Sequence, residues 1–114
     1  MRNAKEVLEK TFSFLEKDFT KEIFSRYSEI NLIYSNDVVK ISIGYDEGIL
    51  LNRNGYVWIG IEKKGTNKTI MECCELFGRS QLDEFRSQIM GKKVEEQIEL
   101  YRKFISQNLM KLLQ

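Results

Sequence analysis

Residues 50–61 read LLNRNGYVWIGI. Asn54-Gly55 suits a two-residue type I′ turn, in which both central residues take positive φ. Such a turn would pair a strand over ILLNR (49–53) with a strand over YVWIGIEKK (56–64), setting Leu51 against Trp58 and Leu50 against Ile59. Successive side chains of a strand point to opposite faces. Val57, Ile59 and Ile61 therefore share one face, and Tyr56 and Trp58 share the other. The first face is a complete apolar stripe. The second is aromatic rather than polar, so it needs either a further covering element of this chain or another molecule.

Working back toward the amino terminus, VVKISIGY (38–45) alternates Val39, Ile41, Ile43 and Tyr45 with Val38, Lys40 and Ser42, the pattern of a half-buried strand. INLIYS (30–35) is a short apolar run, with SND and DEG as turns on either side of the longer strand. TKEIFSRYSE (20–29) is ambiguous, since Ile23, Phe24 and Tyr27 fit either a helix extension or irregular chain. Before it, Leu8, Phe12, Leu15 and Phe19 recur at helical intervals, with Asn3 and Glu6 at capping-box spacing. These signals predict an amphipathic first helix ending near Phe19.

Beyond the sheet the periodicity is helical. Thr69 and Glu72 would cap a helix carrying Ile70, Cys73, Cys74 and Phe77, closed by Gly78. Ser80 and Asp83 would open another along Leu82, Phe85 and Ile89, with a break at Gly91-Lys92. Val94, Ile98, Tyr101, Ile105, Leu109 and Leu112 then mark a last helix. The expected fold class is α+β. It has an N-terminal helix, an antiparallel meander of three to four strands and two to three C-terminal helices packed on the sheet, all in a single domain over 1–114.

Composition narrows the chemistry. Eighteen basic side chains against 17 acidic ones leave no basic excess for a nucleic-acid backbone. Histidine is absent, which removes the commonest general base, the commonest metal ligand and every histidine-activated nucleophile. Cys73 and Cys74 are too few to hold a metal alone, and as sequence neighbours they are poorly placed to bridge. They read as free thiols of a reducing cytoplasm, with at least one in the core. MRNAKEVLEK lacks the apolar run of a signal peptide, and no stretch approaches the length of a membrane span. The carboxylate pairs Asp46-Glu47, Glu72/Glu75, Asp83-Glu84 and Glu95-Glu96 fall on a turn or on polar helix faces, where they read as solvated surface. GRS and MGKK lack phosphate-loop spacing. The sequence therefore predicts no catalytic residue, no metal and no cofactor.

FSFLEKDF, VKISIGYDEG, GYVWIGIE and ISQNLMKLL together resemble a loose group of small bacterial proteins, some of them similar to immunity proteins of polymorphic toxin systems. The resemblance is one of residue types along most of the chain and carries over no functional residue. It implies a protein-binding domain that neutralises a cognate toxin by stoichiometric occlusion. Tyr56 and Trp58 would be the aromatic anchors, with Tyr45, Asp46 and Glu47 nearby on the preceding turn. The partner would be a protein, without nucleic acid or membrane, and the chain a monomer or homodimer. Two other classes fit the same pattern: a small-molecule-binding or enzymatic domain with a pocket between sheet and helices, and an oligomeric accessory protein.

Overall fold

The first helix is shorter than its apolar stripe. α1 spans Ala4–Thr11, and the chain then tightens into a 3-10 turn over Ser13–Lys17 instead of continuing to Phe19. The Ser13 hydroxyl donates to the Lys10 carbonyl at 2.9 Å, competing with helical continuation at that point. The tighter turn still delivers Phe12, Leu15 and Phe19 to the core, so a single apolar pattern serves two kinds of helix. The computed structural model describes residues 4–26, 29–46, 56–63, 79–89 and 91–113.

Four strands follow: β1 (Thr20–Arg26), β2 (Glu29–Ser35), β3 (Val39–Asp46) and β4 (Tyr56–Lys63). They form one antiparallel sheet in the order β1-β2-β3-β4. TKEIFSR is thus neither helix nor irregular chain. It is an edge strand whose inward positions, Lys21 and Ile23, are half-buried and whose remaining residues are exposed. Only one core-facing apolar residue marks it, so neither period stands out in its sequence. The β2–β3 turn is held by Asn36, whose side-chain oxygen accepts from the backbone N–H of Val38 at 2.8 Å and of Val39 at 2.9 Å. Its amide also donates to the Asp18 carbonyl at 3.3 Å, tying that turn to the exit of the 3-10 segment.

β4 pairs with β3, placing Ile61 opposite Ile41, Ile59 opposite Ile43 and Val57 opposite Tyr45. With Leu32 and Tyr34 of β2, these side chains make one continuous apolar face. α1 covers it at β2, and the long helix α3 (Val94–Leu113) covers it at β4 while packing against α1. Ile98, Ile105 and Leu112 of α3 are buried, as their spacing predicts, and so are Phe104 and Asn108 between them. α2 (Arg79–Ile89) leans on α3 through Phe85, whose ring centroid lies 4.4 Å from that of Phe104 and 5.3 Å from that of Tyr101. Gln81 donates to the side-chain oxygen of buried Asn108 at 3.2 Å, and Asn108 donates to the Phe104 carbonyl at 2.8 Å. The break between α2 and α3 falls at Gly91, whose φ of 75° is a conformation that favours glycine.

The architecture is α+β, with an N-terminal helix, a four-stranded antiparallel meander and a C-terminal helix. Strand 49–53 with its Asn54-Gly55 turn, the Asn3 cap, Glu47 and the helix expected after Thr69 lie outside the described residues. No described helix is long and apolar enough to cross a membrane.

Candidate functional site

The face of the sheet turned away from α1 and α3 is built from the alternate residues of each strand. Cross-strand register sets them in rows. One row runs Phe24, Asn31, Gly44, Trp58; the next runs Arg26, Glu29, Asp46, Tyr56; on the other side lies Glu22, Ile33, Ser42, Gly60. In the central row both ends are aromatic and the middle has no side chain at Gly44. A Cβ at position 44 would overlap the Trp58 indole, so the ring lies directly across the bare backbone of β3. This close approach is what a glycine in a strand interior permits. It leaves Trp58 half-buried and Gly44 covered. At the far end, Phe24 is 53% exposed on the edge strand, which is unusual for a large apolar side chain in a described strand here.

The residues singled out from sequence divide between the two faces. Trp58 lies on this face, and Tyr56 occupies a register position on it. Asp46 also belongs to it, but as the last residue of β3 rather than part of a turn, and it is only 7% exposed. Arg26, Asp46 and Trp58 are all engaged in interactions. Tyr45 corrects the expectation most clearly. It lies within β3 on the opposite face, opposite Val57, and is 2% exposed. Its alternation with Ile41 and Ile43 already places it in the core stripe, so it is no surface anchor. Glu47 is outside the described residues. Sequence reasoning missed Phe24, hidden in the ambiguous segment, and Gly44, whose signal was a glycine inside an otherwise regular β pattern.

A second polar group sits beneath the other face. Tyr34 is fully buried, and its hydroxyl has no hydrogen-bond partner among the described residues. Burial pushes its phenol up to about 12, with the carboxylates of Glu16 and Glu9 adding to the effect. Lys21, opposite Tyr34 in the register, reaches Glu16 at 2.9 Å and Glu9 at 3.7 Å. The hydrogen bond to Glu16 is the main cause of its raised pKa. These ion pairs are partly exposed to solvent and stabilise little. The buried phenol has a measurable consequence. Its folded pKa is above the unfolded value, so the stability it contributes is complete below about pH 10 and is lost as pH rises toward about 12. The loss is expected to be no more than about 2–3 kcal/mol. Tyr101, also raised by burial, adds a similar trend. Urea titrations at several alkaline pH values should show Tyr34→Phe reducing the slope. At neutral pH the same variant should match or exceed the wild type, because the hydroxyl it removes is buried without a partner among the described residues. An unchanged alkaline slope would contradict this assignment.

A groove of about 300 Å³ lies between α2 and α3, lined among others by Gln81, Glu84, Phe85, Gln88, Lys103 and Phe104. It is a helix–helix groove rather than a pocket between sheet and helices. Among the described residues no three potential metal ligands gather, and Cys73 and Cys74 lie outside them. Neither family models, nor curated proteins, nor solved structures give a match to this chain. Among the described residues, the row on the face turned away from α1 and α3 carries an aromatic side chain at each end, Phe24 and Trp58.

Proposed function

We propose that this chain is a cytoplasmic protein-binding module that meets its partner on the open face of the sheet, and that the partner is a toxin it neutralises by stoichiometric occlusion. The observation that carries the binding reading is the central row. Phe24, more than half exposed, and Trp58, half-buried over Gly44, flank a stretch of sheet with little side chain between them. Aromatic side chains held rigidly in a polar surround are the usual anchors of protein interfaces. Glu22, Arg26, Lys40 and Glu62 supply such a surround here. The resemblance to immunity proteins narrows the partner class to a toxin.

The test uses the product of the gene adjacent to this one. Co-expression with this chain should relieve its toxicity, and the two purified proteins should bind with one-to-one stoichiometry in a calorimeter. Trp58→Ala and Phe24→Ala should each weaken binding by about 2 kcal/mol, roughly thirtyfold, while the variants stay folded by circular dichroism. Failure of the wild-type chain to bind or protect would overturn the toxin assignment. Full affinity in both folded variants would overturn the assignment of the face.

A further inference from the structure

We propose that the exposed edge of the sheet is a self-complementary surface, on which two copies of this chain pair β1 against β1 about a two-fold axis. β1 has a sheet neighbour on one side only among the described strands, and Thr20, Glu22, Phe24, Ser25 and Arg26 are exposed. An edge strand presents backbone N–H and C=O groups as a template for a further strand. With the axis perpendicular to the sheet, antiparallel self-pairing keeps each face with its own kind, so Glu22, Phe24 and Arg26 of one copy meet the same set of the other.

Charge selects the register. Centring the axis on Phe24 sets the two Phe24 rings side by side, places each Glu22 opposite the other copy's Arg26, and puts Ile23 opposite Ser25. Centring on Glu22 or on Arg26 would set like charges opposite each other. Centring on Ile23 or Ser25 would oppose a charged residue to Phe24 and form no ion pair. Only the Phe24-centred register combines an aromatic cross-strand pair with two opposite-charge pairs, both of which stabilise antiparallel strands. The product is an eight-stranded sheet, with the helices of both copies on one side and the two open faces joined on the other. The interface is small, so the dimer is weak and concentration-dependent. It goes beyond the proposed toxin binding and is measured without any partner, so either reading can fail alone.

Sedimentation equilibrium over a dilution series tests it. The wild-type chain should move between monomer and twice the monomer mass. Glu22→Arg and Arg26→Glu should each weaken association at least about tenfold by opposing like charges. The double exchange Glu22→Arg/Arg26→Glu should return it to within a few-fold of the wild type. Phe24→Lys, at an exposed position, should be monomeric throughout and serves if a charge reversal fails to fold. A wild-type chain that is monomeric at every concentration would overturn the proposal. So would a Phe24→Lys variant that associates like the wild type, or a folded double exchange that remains as weak as the single reversals.

Discussion

Ile105→Ala is expected to lower the free energy of unfolding by about 2–5 kcal/mol. Ile105 is fully buried at the middle of α3, between Ile98 and Leu112 on the face that closes against β4 and α1. Truncation there removes transfer free energy and leaves a cavity that the surrounding elements only partly collapse into. Domains of this size are stable by about 5–15 kcal/mol, so the loss is a large share of the total. Met110, on the same helix but 74% exposed, provides the control. Met110→Ala should lie within about 0.5 kcal/mol of the wild type. Urea unfolding followed by far-UV circular dichroism measures both. If Ile105→Ala unfolds at the wild-type midpoint, the core is closed without α3.

Gly44→Val should cost about 3 kcal/mol and move the fluorescence of Trp58, the only tryptophan, to longer wavelength. The added side chain must occupy the space the indole holds over β3, and the indole, already half-buried, yields by turning outward. Gly60 makes the comparison sharp. It lies on the same face of the neighbouring strand, and a Cβ there meets none of the described residues within 4 Å. Gly60→Val should be neutral or slightly stabilising, since β-branched residues suit a strand better than glycine. Equal costs at the two positions, or unaltered emission in Gly44→Val, would show that the indole does not depend on the bare backbone. The proposed interface makes a linked demand: Gly44→Val should weaken partner binding even though residue 44 is itself covered.

The sheet was legible wherever a strand carried several core-facing apolar residues. Val39, Ile41, Ile43 and Tyr45 give β3 its period of two, and Val57, Ile59 and Ile61 do the same for β4. β1 escaped because an edge strand needs little apolar surface: Ile23 is its one apolar core-facing side chain, and Phe24 points the other way. The end of α1 escaped because Phe12, Leu15 and Phe19 keep helical spacing and stay in the core across the 3-10 turn that follows Thr11. The break at Gly91 was readable, since a shift of phase coincided with a residue able to take positive φ. On the candidate site, Trp58 was visible as an aromatic on the non-core face. Its surroundings were not, because they depend on cross-strand register. Gly44 and Phe24 are 14 and 34 residues away in sequence, and only pairing through β2 and β3 brings them into one row with Trp58.

The contact between α1 and α3 bears on how the protein comes off the ribosome. Each strand pairs with its immediate predecessor, so the meander can zip up hairpin by hairpin while synthesis continues. Its apolar face cannot close at that stage, because α3, which covers it at β4, is made after the strands. Leu8 and Phe12 wait, with the strands already laid down, for Ile98, Ile105 and Leu112 to emerge. Throughout that interval the nascent chain presents a sheet greasy on one side and a template edge at β1, the combination that chaperones bind and that aggregation exploits. Slowing elongation ahead of α3 should therefore lower soluble yield more than slowing it earlier.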